Sequence, residues 1–130
     1  MQVAPSYADV TAEVIEFLKS RVRATISAEI DPEDVLVDPG IGFGKTPQHN
    51  LELLRRLREI TDAVGRALVL GTSRKGFIGR VTGEDEPSRR LFGTAATVAW
   101  GIANGAGVLR VHDVGPMSQV ARMIDAIQNS

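Results

Sequence analysis

Three short aliphatic runs, each ending in a cluster of charged and small residues and each followed by a helical pattern, constrain this 130-residue chain more than any other feature. The first is Val35-Leu36-Val37, the second runs from Ala67 to Leu70, and the third from Val108 to Val111 with Arg110 inside it. Unbroken β-branched and aliphatic runs without polar alternation suit strands buried on both faces of a parallel sheet. Helical patterns separate them. Strands alternating with helices of this length require parallel pairing with right-handed crossovers.

The helical segments carry their own signals. Val10, Val14, Phe17, Leu18 and Val22 recur at steps of three and four, predicting a helix from Tyr7 to Ile26 with Ser6 and Asp9 as a capping box. Thr46 is a candidate cap for a second helix, with Pro47 in its first turn, Leu51, Leu54, Leu57 and Ile60 directed inward and Gly65 as its stop. The segment Gly71 to Gly79 reads as a loop. A third helix spans Ser88 to Ala103 and ends at Asn104-Gly105. A last helix carries Met117, Val120, Ile124 and Ile127 as a buried stripe. The expected architecture is therefore α/β, with three parallel strands and about four helices in the order α and then βα three times. The interval from Asp38 to Ser73 (35 positions) nearly equals that from Ser73 to Arg110 (37 positions). A complete eight-fold (β/α) barrel of the TIM type needs ~250 residues, so the chain holds roughly half of one, as a single partial domain over residues 1–130.

Composition excludes several classes of function. Fifteen Lys and Arg against sixteen Asp and Glu leave a formal charge of -1, so no global field gathers nucleic acid or anionic membrane. With no cysteine, disulfides and thiolate metal sites are ruled out. No apolar run approaches the ~20 residues of a membrane span, and no signal peptide is evident. A soluble, cytoplasmic protein is expected.

All three polar clusters fall at the C-terminal ends of the strands, the rim where βα proteins place their sites. Asp38 either offers an ionised acceptor to adjacent N–H donors of a flat heterocycle or caps a turn. The glycines at 40, 42 and 44 allow backbone to approach a ligand, and Phe43 among them has no evident core partner. Alternatively Phe43 plugs the barrel end and Lys45 is solvated. The run Gly40 to Thr46 superficially resembles a phosphate-binding loop, but position 39 is proline where the motif needs glycine, which excludes a nucleotide triphosphatase. Ser73-Arg74-Lys75 supplies a hydroxyl and two cations, or else a solvated charge pair. Arg110 and His112, on one side of a strand, together suit an anion such as pyrophosphate, with a structural histidine as the plainer alternative.

Three motifs together, Asp38-Pro39-Gly40-Ile41-Gly42-Phe43-Gly44-Lys45-Thr46 with His49-Asn50-Leu51, then Gly71-Thr72-Ser73-Arg74-Lys75-Gly76-Phe77-Ile78-Gly79, then Arg110-Val111-His112-Asp113-Val114, resemble the last three strand-end motifs of the dihydropteroate synthases in order and spacing. The resemblance implies a transferase of folate biosynthesis, and a sulfonamide target. Such an enzyme condenses p-aminobenzoate with 6-hydroxymethyl-7,8-dihydropterin pyrophosphate, with magnesium on the diphosphate. It implies catalytic roles for Asp38, Lys75 and Arg110. Asp38 would hold the pterin, Lys75 would touch both substrates, Phe43 would pack on p-aminobenzoate, and Arg110 would flank the pterin and reach the pyrophosphate, with His112 also binding that group. Gly42, Ser73 and Gly76 would complete the substrate-binding set, although many family members carry serine where Gly76 stands. The family's metal-binding Asn loop and its further pterin-binding Asp and Asn strands do not occur in this chain, so no metal ligand is assigned. Met1-Gln2 resembles the stretch after the family's fifth strand, which makes this the C-terminal half. A second copy or the missing half-barrel is the implied partner, and activity of the chain alone is not expected. A pterin-binding methyltransferase domain and a non-catalytic half-barrel are the competing readings.

Overall fold

A computed structural model describes residues 6–130, so Met1-Gln2 lies outside the described residues. Helix α1 (Val10–Ser27) leads through a 3₁₀ turn (Pro32–Asp34) to strand β1 (Leu36–Val37). Helices α2 (Pro47–Arg55) and α3 (Leu57–Val64) precede β2 (Ala67–Leu70). Helix α4 (Gly76–Thr82) and a 3₁₀ turn (Pro87–Arg89) then lead to α5 (Leu91–Ala103), β3 (Ala106–Leu109) and α6 (Val114–Gln128). The strands lie in the order β1-β2-β3, all parallel, with Leu36 opposite Ala67 and Val69 opposite Val108. The α/β class and parallel pairing thus follow the aliphatic runs, with six α-helices where about four were expected.

One of the two additional helices comes from subdivision and the other from a segment read as loop. The helix expected from Thr46 to Gly65 breaks at Arg56, whose φ of -102° and ψ of 21° leave the helical basin, and whose guanidinium reaches Asp9, Glu52 and Glu59. The presumed loop after Gly71 becomes α4 from Gly76 onward, because Phe77 and Ile78 bury into the core and Gly83 closes the turn in the left-handed region (φ 81°). At its start α1 is capped by Asp9 rather than Ser6. The Asp9 carboxylate accepts the Ala12 N–H at 3.0 Å, because the helix begins one turn later than the apolar pattern suggests.

The core joins Val10, Val14 and Leu18 of α1, Leu53, Leu57 and Ile60 of α2 and α3, and Val37, Leu68 and Leu70 of the sheet. Period two sends the alternate strand residues to the other face, where Leu36 is 54% and Val108 39% exposed. Helices therefore cover one face of the sheet, and the expectation of strands buried on both faces fails. Phe17, Leu51 and Ile127, placed inward by periodicity, are exposed, and Val120 and Ile124 are only partly buried, which leaves Met117 as the anchor of α6. Leu53 takes the inward place predicted for Leu51. The third strand ends at Leu109, so Arg110 follows the strand instead of lying within it. Its N–H still donates to the Leu70 carbonyl at 3.0 Å, which keeps its backbone level with the end of β2.

Candidate functional site

The three strand-to-helix loops meet around one cavity of about 450 Å³. The first loop contributes Asp38 and Phe43, the second Ser73 and Lys75, and the third Arg110 and His112. Sequence reasoning placed these six residues on a common rim, and the fold brings them together. Gly42 and Gly76, also assigned to substrate, do not line the cavity.

The loop after β1 is laced from within. Asp38 accepts the Gly40 N–H at 2.8 Å, so the turn-capping role is real, yet the residue still opens on the cavity. The two alternatives for Asp38 are compatible, because a carboxylate offers four lone-pair positions and one bond to Gly40 leaves the others open. Ile41 is buried at the loop's centre. Gly42 has φ 87°, a left-handed conformation that L side chains resist, and a Cβ there would stand 2.9 Å from Lys75 Cδ. Asn50, 3% exposed on α2, accepts the Gly42 N–H at 2.8 Å. Lys45 donates to the carbonyls of Gly40 (3.0 Å) and Phe43 (2.8 Å), so it ties the loop together rather than standing in solvent. Phe43 is 67% exposed and presents its ring to the cavity instead of plugging the barrel end.

The second loop separates its two cations. Arg74 has φ 59° and its N–H donates to Thr94 Oγ1 of α5 at 3.0 Å. That geometry turns its guanidinium away from the cavity to an ion pair with Asp113 at 3.0 Å. The expectation of two cations at the site is corrected to one, and Asp113 is spent on the other. Lys75 points inward. Its Nζ donates to the Ile41 carbonyl and lies 4.6 Å from the centroid of the Phe43 ring, a cation–π arrangement. Partial burial pushes the Lys75 ammonium below the ordinary lysine value; Asp38 opposes that shift, while Arg110 and Lys45 add to it. Burial likewise lowers Lys45, with Asp38 opposing.

The third loop is pinned to the second through Ser73, which is 7% exposed. Its hydroxyl accepts the backbone N–H of His112 at 3.1 Å and lies 2.7 Å from His112 Nδ1. Arg110 is exposed at the cavity rim, not desolvated as a mid-strand arginine would be.

Sequence reasoning did not single out Asn50 as part of the site. Its signal was available: it stands four residues before Leu54 on the apolar face of α2, where a polar side chain needs a buried partner. The Arg74–Asp113 pair had no local signal, since 39 positions separate the partners.

Chemically, the cavity sets one carboxylate against a lysine, an arginine and a histidine, with an aromatic ring beside the lysine. It can hold a flat polar ring by paired hydrogen bonds at Asp38 and an anion at Arg110 and His112. Among the described residues no group of three or more His, Asp or Glu side chains could hold a metal ion. A single carboxylate surrounded by cations does not suit magnesium, so the residues present do not fit the ion and no step is derived through it. No helix among the described residues is long and apolar enough to cross a membrane.

A family model described as pterin binding enzyme matches residues 1–112. The dihydropteroate synthase of Neisseria meningitidis serogroup C is 41% identical over 127 residues, covering 98% of this chain and 45% of that protein. The Bacillus subtilis dihydropteroate synthase is 40% identical over 124 residues, covering 95% and 43% respectively. Among solved structures, the Xanthomonas albilineans dihydropteroate synthase in complex with 7,8-dihydropteroate superposes with a TM-score of 0.94 at 38% identity, over 100% of this chain and 49% of that one. The Thermus thermophilus enzyme in complex with 4-aminobenzoate gives 0.87 at 41% identity, over 94% and 46%. The chain spans about half the length of the curated relatives it matches. Its three-stranded sheet and helices accordingly correspond to half of a TIM barrel.

Proposed function

This chain belongs to the pterin binding enzyme family, and on that premise we propose that it forms the half of a dihydropteroate synthase that binds both substrates at the rim of the barrel. The reaction joins p-aminobenzoate to 6-hydroxymethyl-7,8-dihydropterin pyrophosphate and releases pyrophosphate. The observation that carries the proposal is the convergence of Asp38, Lys75 and Arg110 from three consecutive strand ends on one cavity.

Each residue has a role that its surroundings support. Asp38, with one oxygen tied to the Gly40 N–H, is a fixed acceptor for the N–H edge of the pterin. Lys75 shares the cavity with Asp38 and stands over the Phe43 ring, where it can donate to the pterin and to p-aminobenzoate near Phe43. Arg110 and His112 take the pyrophosphate. The C–O bond to pyrophosphate breaks with its electron pair leaving on oxygen, and the electron-rich pterin carries the cation at its methylene carbon. The aniline nitrogen then adds and loses a proton to solvent. Such a path needs oriented charge rather than a protein nucleophile. With Ser73 bound to His112 and Gly76 outside the cavity, the p-aminobenzoate carboxylate falls to backbone N–H groups or to residues of the other half-barrel. Sulfonamide sensitivity and a cytoplasmic location belong to the same proposal, and magnesium on the diphosphate would need protein ligands from outside these residues.

The exposure of Leu36 and Val108 on the uncovered sheet face favours association with a complementary half-barrel or a second copy, and catalysis is assigned to that assembly. Calorimetric titration with 6-hydroxymethylpterin, alone and with pyrophosphate, tests the reading. Pterin binding should be lost in Asp38→Ala, and its enhancement by pyrophosphate should be lost in Arg110→Ala. Equal binding by all three proteins would refute it, and dihydropteroate formation by the 130-residue chain as a monomer would refute the need for assembly.

A further inference from the structure

We propose that Ser73 is a positioning residue that fixes the proton of His112 on Nε2, so that the ring always presents an N–H donor beside Arg110. The inference rests on the pyrophosphate reading of that corner, and it reassigns Ser73 from a substrate contact to the control of another side chain.

The argument is one of proton counting. Ser73 carries a single hydroxyl proton and sits almost wholly out of solvent at 7% exposure. Its oxygen already accepts the His112 backbone N–H at 3.1 Å. The atom 2.7 Å away, His112 Nδ1, is its other hydrogen-bond partner among the described residues. If the neutral imidazole carried its proton on Nδ1, that N–H would donate to Ser73, and the serine proton would have no acceptor among the described residues, only the cavity that Ser73 lines. Buried polar hydrogens are seldom left in that state, because the lost hydration is not replaced. With the serine O–H donating to Nδ1, both groups are satisfied and the ring proton lies on Nε2.

The consequence is electrostatic as well as geometric. An imidazole in the other tautomer would aim a lone pair at the cavity and repel an anion held by Arg110. The same serine also joins the loops after β2 and β3, so one side chain sets both the depth of His112 and its proton. A second histidine provides an internal reference, because His49 Nδ1 accepts the Thr46 N–H at 3.0 Å and its ring must also be protonated on Nε2.

The chain has only these two histidines, so ¹⁵N-labelled protein and long-range ¹H–¹⁵N correlation spectra resolve both rings. Spectra are recorded at the alkaline end of a pH series, where the ring ¹⁵N shifts no longer change. His112 and His49 should both show the Nε2–H pattern. In Ser73→Ala, His112 should shift to a tautomer mixture while His49 stays unchanged, which reports an intact fold; Ser73→Thr should restore His112. Titration with inorganic pyrophosphate should be roughly three- to tenfold weaker in Ser73→Ala and recover in Ser73→Thr, the range for one hydrogen bond. A wild-type His112 with its proton on Nδ1, or a tautomer unmoved by Ser73→Ala, overturns the role of Ser73 whatever pyrophosphate does. The Nε2–H pattern together with no pyrophosphate binding by the wild-type chain overturns the anion reading and leaves Ser73 as the residue that sets the tautomer.

Discussion

Replacing Gly42 with alanine should damage both the stability of the chain and the placement of Lys75. The backbone at Gly42 has φ 87°, and holding an L residue in left-handed space costs about 1–2 kcal/mol. The new methyl group would stand 2.9 Å from Lys75 Cδ, a distance that real Cβ contacts do not reach, so the lysine must move. Because the contact falls on the middle of the side chain, moving it also pulls Nζ from the Ile41 carbonyl and from above the Phe43 ring. Those two losses add about 0.5–1.5 and 0.5–1 kcal/mol. The total is about 2–4.5 kcal/mol, a large share of the 5–15 kcal/mol typical of a small domain, and should lower the urea midpoint by roughly 1–3 M. The parts can be separated with Lys75→Ala. In that background the methyl group meets no lysine, and Gly42→Ala should cost only the φ component, about 1–2 kcal/mol. Gly76→Ala is the matching control: its φ is not in the left-handed region and a Cβ there meets nothing within 4 Å, so it should be neutral or stabilising by up to about 1 kcal/mol. A Gly42→Ala protein within about 0.5 kcal/mol of wild type, or an equal cost with and without Lys75, would refute the idea that this glycine is required by its backbone and by the lysine.

Asn50→Ala should cost about 1–3 kcal/mol in urea unfolding, because the Gly42 N–H loses its acceptor, and it should speed amide exchange at Gly42 selectively. Gly101→Ala should cost about 1–3 kcal/mol in thermal unfolding, since a Cβ on α5 would overlap Leu70 Cδ2 in the core; unchanged melting would mean that α5 and β2 have room to separate. Stability should also fall at acid pH. The Ala12 N–H and then Arg56 hold the Asp9 carboxyl below its usual value, and the hydrogen bond from Arg56 does the same for Glu59. Carboxyls whose folded values are depressed contribute stability that is complete above their unfolded values of ~3.9 and ~4.3 and is lost as pH falls through the folded ones. Melting temperature should therefore decline below about pH 4, with a shallower slope in Arg56→Ala.

What could be learned from the residues alone divides along a physical line. Local signals were legible: Thr46 and Pro47 start α2, Gly65 stops α3 with φ 70°, and the strand-end clusters share one rim. The helix boundaries depend on neighbours within a few positions, and the shared rim on the repeat of strand and helix at nearly equal intervals. The inward stripes were less secure, because periodicity names a face without saying whether anything covers it. Leu36 and Val108 look as buried as Val37 and Leu68 in the sequence, and differ only because helices pack on one side of this sheet. The division of labour between Arg74 and Lys75 was out of reach for a different reason. They are adjacent cations, and what sends one to Asp113 and the other to the cavity is the sign of a single φ, held by a threonine twenty positions away. A site built this way predicts that specificity lies partly in residues that touch no substrate. Thr94→Val would free the Arg74 N–H and let that residue relax toward negative φ, swinging a second cation toward the rim. Binding of pyrophosphate should then become more dependent on ionic strength than in wild type. An unchanged salt dependence, with the fold intact, would mean that the ion pair with Asp113 holds Arg74 in place without help from Thr94.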